Sequence, residues 1–207
     1  MVGIIDYGVC NIGAIWNMLR KIGINDVKVI HRGNEMRDID HLILPGVGSF
    51  DSGMESLEQL GLVEGIRLYW KTERPLLGIC LGMQLLGDSS EEGEKSGLGI
   101  IPMICRRFDN PIDSVTNKRL KIPHMGWDQV EILNDSSLTV GISSPQRYYF
   151  VHSYHVVCEN KYSILSCDYG YKFTAAVRNE NIYGVQFHPE KSHHFGMQLL
   201  NNFIKKC

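Results

Sequence analysis

The chain has 207 residues, of which 43% are hydrophobic, and its formal net charge at pH 7 is −2. This length fits one domain with a sizeable core, so we expect a single domain over residues 1–207. The small net charge, with no basic run except Lys205-Lys206, argues against a nucleic-acid partner. No segment reaches the roughly 20 apolar residues of a membrane span, and the N-terminus shows no basic leader. We therefore expect a cytoplasmic protein without a membrane partner.

Six cysteines are spread along the chain without a CxxC pair or the spacing of zinc ligands; they are Cys10, Cys80, Cys105, Cys158, Cys167 and Cys207. This spacing favours free thiols in a reducing compartment over a disulfide framework. We expect no disulfide, no metal and no cofactor.

The first half of the chain alternates short apolar runs with helical patterns. Strands are predicted at 2–5, 27–30, 42–44 and 76–79. Apolar residues recur at helical spacing between them, first at Ile12, Ile15, Trp16, Leu19 and Ile22, and later at Leu62, Ile66 and Trp70. Strands that alternate with helices predict an α/β fold, with a mostly parallel central sheet and helices on both faces.

After about residue 98 the pattern changes to short β-like runs, at 127–132, 148–151, 155–158, 173–177 and 182–187. They predict a mixed or antiparallel extension of the sheet. The chain closes with a helix that Ser192 begins, with Phe195, Leu199 and Phe203 on one face. Residues 88–97, rich in Ser, Glu and Gly, are predicted to form a surface loop.

Gly78-Ile79-Cys80-Leu81-Gly82 follows an apolar run and has the glycine spacing of a nucleophile elbow, with cysteine in the serine position. A turn from strand to helix this tight crowds the backbone, so the residues two positions away must lack a Cβ. A cysteine at a helix N-terminus is favoured as the thiolate. From the pentapeptide alone, a small buried core residue is the favoured interpretation of Cys80.

Gln186-Phe187-His188-Pro189-Glu190 ends the last predicted strand. In an extended segment residues i and i+2 share a face, so His188 and Glu190 are expected to face one site. The imidazole would then serve Cys80 as a base, and the carboxylate would orient the ring. Taken singly, each is also compatible with a local structural role, His188 at a strand end and Glu190 as a solvated carboxylate.

Pro45-Gly46-Val47-Gly48-Ser49-Phe50 follows the third strand. A glycine-rich turn there is either a plain tight turn or a source of backbone N–H groups for an oxyanion. A phosphate loop is disfavoured because the following Gly-Lys-Ser/Thr of the Walker pattern is absent.

The strings PGVGSF, GICLGMQLL and GVQFHPEKS, in this order and spacing, resemble those of class I glutamine amidotransferases. Further matches lie at DYG (6–8) with Asn11, KIPHMGW (121–127) and YFVHSY (149–154). With these, nearly the whole chain resembles glutaminase subunits that deliver ammonia to a separate (β/α)8-barrel synthase subunit. The resemblance implies a single domain of flavodoxin-like fold and no cofactor.

The resemblance also implies roles for individual residues. Cys80, His188 and Glu190 would form a catalytic triad that hydrolyses L-glutamine to glutamate and ammonia through a thioester. Backbone N–H groups of the Val47-Gly48 turn and of Leu81 would hold the oxyanion, and glycines beside Val47 would permit that turn to switch. The amino-acid end of glutamine would be bound by Gln84, Glu92, Ser153 and Tyr154. An exposed helix and loop face is the alternative for Gln84 and Glu92.

In subunits of this kind the ammonia is used to close an imidazole ring in histidine synthesis, and the glutaminase forms a heterodimer with its barrel. Positions that match that interface are Asn11, Trp127, Tyr148, Tyr149 and Lys191. Core packing is the alternative for Trp127 and the tyrosines.

The chain departs from the family's more common sequence at Cys10, in the stretch 153–158, and at Ser192-His193-His194. These positions are expected near the partner rather than near the triad. Two other functions therefore remain open. One is a paralogous glutaminase that supplies ammonia for amidation of a surface-polysaccharide sugar, and the other is a stand-alone cysteine γ-glutamyl hydrolase. A non-catalytic binding module is disfavoured because all three triad residue types are present.

Overall fold

A computed structural model describes all residues, 1–207. The strands are β1 (Val2–Ile5), β2 (Val27–Ile30), β3 (His41–Gly46), β4 (Leu76–Cys80), β5 (Ser89–Ser90), β6 (Met103–Arg107), β7 (His124–Ile132), β8 (Gln146–His152), β9 (Tyr154–Cys158), β10 (Ser163–Asp168), β11 (Lys172–Asn179) and β12 (Ile182–Val185). The helices are α1 (Ile12–Lys21), α2 (Phe50–Gln59), α3 (Leu62–Trp70), α4 (Leu81–Leu85) and α5 (His193–Lys206). Short 3₁₀ turns occur at Gly33–Met36, Ser137–Thr139 and Pro189–Lys191.

All twelve strands belong to one sheet, with the main order β2-β1-β3-β4-β12-β11-β10-β7-β8. The pairs from β2 through β12 are parallel. From β12 onward the pairs are antiparallel, and β6 and β9 join the sheet through β11. The predicted α/β fold and its antiparallel extension are therefore confirmed. The carboxyl ends of β3, β4 and β12 lie side by side.

Alternate residues of β1 face opposite sides of the sheet, because successive side chains of a strand point to opposite faces. Ile4 packs in an apolar cluster with Leu19 of α1 and Leu199 of α5. Ile5 packs in a second cluster with Leu57 of α2 and Ile66 of α3. Helices thus cover both faces, as predicted. None of the helices combines the length and the apolar character that crossing a membrane requires.

Besides the short β5, the strands β6 and β10 lie where no strand is predicted. Both begin with buried residues, and β10 (SILSCD) lacks a clean alternation because five of its six residues are buried. The expected surface loop at 88–97 is also only partly exposed. It contains β5, and its Glu92 accepts a hydrogen bond from the N–H of Phe50, which begins α2 (2.8 Å). Residues that serve another element from within a loop carry no periodic signal.

A substitution at Gly82 tests the packing of the elbow, because a Cβ built at this position overlaps the carbonyl oxygen of Leu44 in β3. We expect Gly82→Ala to lower the free energy of unfolding by about 3 kcal/mol. The matched control is Gly13→Ala in α1, where the added Cβ meets only the Asn11 side chain at 3.9 Å. It should raise stability by about 0.5–1 kcal/mol through helix propensity. Urea denaturation measures both, and equal effects would contradict the packing argument.

Candidate active site

Cys80 ends β4 and stands directly before α4, with φ 53° and ψ −109°. Such a backbone is rare for a residue with a side chain and is held here by the packing around it. A Cβ on Gly78 would lie 2.7 Å from backbone atoms of Gly82 and Met83. The two glycines of the pentapeptide are thus required by close backbone approach, as the sequence predicts.

The sulfur of Cys80 lies at the base of a cleft and has two polar neighbours. Its Sγ is 3.9 Å from the carbonyl oxygen of Val151 and 3.8 Å from Nε2 of Gln186. The residue is 7% exposed. That small opening leaves the sulfur reachable from the cleft and shielded elsewhere.

His188 and Glu190 form a buried pair, with Nδ1 and Oε1 2.7 Å apart. The route to this contact differs from the prediction of a shared strand face. Strand β12 ends at Val185, and Glu190 lies in the 3₁₀ turn Pro189–Lys191. The turn, which Pro189 begins, folds the carboxylate back onto the ring.

The ionisation of His188 is set by competing effects. Burial lowers the pKa of His188, but the interactions with Cys80 and Glu190 together outweigh it and raise the pKa to about 10. Nε2 of His188 has no hydrogen-bond partner, so the effect of Cys80 is attraction at short range rather than a formed hydrogen bond. Below this pH the ring is an imidazolium that can give up a proton.

A cleft of about 300 Å³ brings together nearly all the predicted site residues. Its lining includes Cys80, His188, Val47, Gly48, Leu81, Gln84, Glu92, Ser153 and Tyr154, while Glu190 lies behind His188. Gln84 is buried, and its Nε2 donates to the carbonyl oxygen of Tyr154 (3.2 Å) and to Oε1 of Gln186 (3.1 Å). The alternative of an exposed face for Gln84 is therefore wrong.

The Val47-Gly48 turn lies at the mouth of this cleft. The N–H of Val47 donates to the carbonyl oxygen of Val9 (2.8 Å), so it is not free to meet an oxyanion in this conformation. Gly48 has φ +110° and open space around its Cα. Leu81 is the first residue of α4, so its N–H has no partner within the helix.

The predicted interface residues separate into two groups. Asn11 and Lys191 are exposed, Trp127 is 38% exposed, and the Nζ of Lys191 lies 5.7 Å from the ring centre of Tyr149. Tyr148 is fully buried and stacks on Phe187 with ring centres 3.9 Å apart. The prediction of an interface role for Tyr148 is wrong, because inward and outward residues alternate along β8.

Two polar side chains at the site, those of Gln186 and His152, are absent from the predictions. Gln186 contacts both Cys80 and Gln84, and His152 lines the cleft. Gln186 lies two residues before His188 in the same string, and that spacing was a usable signal. His152 lies beside Ser153 but carries no motif of its own.

All six cysteines are free thiols. One group of side chains approaches the spacing of metal ligands: atoms of His124, Asp128 and Cys167 lie within 4.8 Å of one another. There, Nε2 of His124 already contacts Oδ2 of Asp128 at 3.2 Å, so the two side chains pair with each other.

A cysteine on a strand-to-helix turn, faced by a buried His-Glu pair at the edge of a mostly parallel sheet, is the arrangement of an α/β thiol-dependent acyl-transfer enzyme. Residues 3–207 match the profile of the family described as glutamine amidotransferase class-I. The chain belongs to this family of enzymes.

Curated relatives cover the full chain. One from Methanococcus maripaludis, named imidazole glycerol phosphate synthase subunit HisH 2, is 50% identical over 100% of both chains. One from Pseudomonas aeruginosa with the same name is 46% identical over 99% of both. A solved structure described as a glutamine amidotransferase has a TM-score of 0.74 at 17% identity, covering 99% of this chain and 97% of that one. The PurLQS structure from Thermotoga maritima has a TM-score of 0.73 at 16% identity, covering 98% and 96%. These structures share the fold.

The raised pKa of His188 gives a direct test of the pair. Burial lowers the pKa of His188, and the Glu190 carboxylate is one of the groups that raise it. Glu190→Gln removes that charge, so the pKa of His188 should fall by one unit or more from about 10. The titration of the His188 ring protons by NMR measures this. Glu92→Gln, which alters a carboxylate elsewhere in the cleft, should leave the midpoint unchanged. A midpoint that stays near 10 in Glu190→Gln would contradict the assigned cause.

Proposed function

We propose that this chain is the glutaminase subunit of an imidazole glycerol phosphate synthase. It hydrolyses L-glutamine and passes the ammonia to a separate (β/α)8-barrel subunit of a heterodimer. The observation that carries the proposal is the cleft in which Cys80 and His188 meet Gln84 and Glu92. The names of the full-length relatives support the synthase. We also propose that residues 1–207 act as one catalytic domain in the cytoplasm.

The reaction begins at the sulfur of Cys80. The thiolate attacks the side-chain amide carbon of glutamine, which forms a C–S bond and places negative charge on the amide oxygen. Leu81 N–H, at the start of α4, is one candidate donor to that oxyanion. The N–H groups of Val47 and Gly48 are the others.

His188 supplies and then removes protons. Its imidazolium protonates the departing nitrogen as the C–N bond breaks, which leaves ammonia and a γ-glutamyl thioester on Cys80. The neutral ring then takes a proton from water, which attacks the thioester and releases glutamate and the thiolate. Glu190 orients the ring through its contact with Nδ1 (2.7 Å).

Recognition of the amino-acid end of glutamine needs acceptors for an ammonium group and donors for a carboxylate. Glu92 supplies acceptor oxygens at one side of the cleft, while Ser153 and Tyr154 offer hydroxyl groups on another wall. Gln84 braces that wall through the Tyr154 carbonyl oxygen.

We propose that the conformation of the Val47 turn keeps hydrolysis low until the partner acts. Its support is the Val47 to Val9 hydrogen bond, which engages a predicted oxyanion donor. A peptide flip at this turn would free a donor, and Gly46 and Gly48 flank Val47 on both sides. The ammonia would then be released only when an acceptor is in place.

One feature favours a second candidate function, in which the ammonia is used to amidate a surface-polysaccharide sugar. His193 belongs to Ser192-His193-His194, where the sequence departs from the family's more common one, and it stacks on Trp127 with ring centres 5.5 Å apart and planes within 1°. A departure from the common sequence therefore lies on the predicted partner face. Purified chain mixed with each candidate barrel distinguishes the two acceptors, because only one pair would form the imidazole product. A stand-alone γ-glutamyl hydrolase would instead show full activity without any barrel.

Cys80→Ala should abolish glutamine hydrolysis, with a loss of at least about 10³-fold, because no other group can form the thioester. Glutamate release in the presence of the barrel partner measures this. The control, Cys207→Ala, removes a thiol at the far end of α5 and should retain wild-type activity. Substantial hydrolysis by Cys80→Ala would refute the catalytic assignment.

Trp127 tests the proposed partner face. We expect Trp127→Ala to weaken association with the barrel by about tenfold, because large aromatic side chains dominate such interfaces. Leu68→Ala is the control: Leu68 is also exposed and apolar, at 54%, but it lies on α3 outside the predicted face. Titration calorimetry compares them. Equal affinities for the two variants would show that Trp127 lies outside the contact.

A further inference from the structure

Two buried histidines form a chain of contacts behind the cleft that the proposed reaction does not use. Nδ1 of His152 lies 2.8 Å from the carbonyl oxygen of Tyr154, and Nε2 of His152 lies 3.0 Å from Nδ1 of His124. Nε2 of His124 lies 3.2 Å from Oδ2 of Asp128. His152 lines the glutamine cleft, whereas the Asp128 side chain is 34% exposed. The chain therefore runs from the cleft wall to the surface of β7.

The three contacts of this chain need more protons than two neutral imidazole rings carry. The carbonyl oxygen of Tyr154 only accepts, so Nδ1 of His152 carries a proton. The carboxylate of Asp128 also only accepts, so Nε2 of His124 carries one. The contact between the two rings needs a third. Two neutral imidazoles hold two N–H protons, so the three contacts require one proton more than a neutral pair has.

The contact with the Asp128 carboxylate assigns this proton to His124 rather than to His152. Burial lowers the pKa of His152 well below its usual range, and the neighbouring His124, His155 and His188 add to that effect. The ring of His124 is instead next to Asp128 and stacks on Tyr169 with centres 4.0 Å apart.

The other titratable groups near this end of the chain lie on β10 and just after it: Cys167, Asp168 and Tyr169. Burial raises the pKa of the Cys167 thiol and of Tyr169, so both are neutral at pH 7. The pocket beside Asp128 also holds Lys172 and Glu131, which pair with each other at 2.7 Å, so Asp128 and Asp168 leave negative charge there that favours a cation on His124.

We propose that His124 and His152 together hold one additional proton, and that this positively charged pair positions the Ser153-Tyr154 wall of the glutamine cleft. The Tyr154 carbonyl oxygen accepts from His152 and from Gln84, so it is fixed from two sides. Loss of the additional proton leaves one of the three contacts without a proton: two lone pairs face each other between the rings, or a lone pair faces Asp128 or the Tyr154 carbonyl oxygen. The chain of contacts then opens and releases one of the two supports of Tyr154.

Histidine labelled with ¹⁵N tests the proton count without any activity. In the wild-type chain at pH 7, both ring nitrogens of His124 should have shifts of protonated nitrogen, and His152 should show Nδ1–H with unprotonated Nε2. A neutral His124 at this pH would overturn the proposal. In Asp128→Asn the additional proton should be lost at lower pH, because its counter-charge is gone. The control Asp168→Asn should titrate like the wild type.

The positioning role, which rests on the proposed glutaminase function, is tested by kinetics with the barrel partner. At pH 8, Asp128→Asn should raise the KM for glutamine about fivefold, the effect of about one hydrogen bond, with kcat within twofold. Asp168→Asn should change neither. An unchanged KM in Asp128→Asn would refute the positioning role. A wild-type chain without glutaminase activity would refute the proposed function instead, and the NMR result would still decide the proton count.

Discussion

The close contact between the end of β4 and the first turn of α4 is the constraint on which the site depends. Gly78 and Gly82 let the backbone of the turn pack against itself, and Gly82 also packs against the backbone of β3. Cys80 is thereby held at φ 53°, with its sulfur directed into the cleft. This strain is stored in a well-packed part of the fold, where the buried residues of β3, β4 and α4 surround it.

The other site residues meet Cys80 because of strand order. Strands β3 and β12 flank β4 and run parallel to it, with Gly46 opposite Cys80 and Val185 opposite Ile79. Whatever follows these strands emerges at the same edge, which is the general position of ligand sites in open α/β sheets. Three segments that lie far apart in the sequence therefore meet at one site.

Much of this could be predicted from local sequence. The parallel strands are short apolar runs with turn residues after them, and the Cys80 segment has the glycine spacing of a strand-to-helix elbow. The path to Glu190 was not predictable from strand periodicity, because Pro189 begins a turn there. Burial of Tyr148, the strand β10 and the His124 to His152 contact depend on partners in distant strands, so the local pattern carries no information about them.

The proposed regulation depends on the conformation of the Val47 turn. Cys80 and His188 both line the cleft, while the N–H of Val47 donates to the Val9 carbonyl oxygen. In the proposed function, catalysis and its control therefore occupy different elements, the elbow after β4 and the turn after β3. A partner that moved only the turn would change the reaction rate without altering the triad.

The central claim is that Cys80 carries the γ-glutamyl group. Its most direct test is acid quenching of the protein during turnover of ¹⁴C-labelled glutamine with the barrel partner, followed by peptide mapping. The account predicts that the label is found on the peptide that contains Cys80 and is released by hydroxylamine, as a thioester would be. Label on any other peptide, or release of labelled glutamate with no labelled peptide when thioester hydrolysis is slowed, would contradict it.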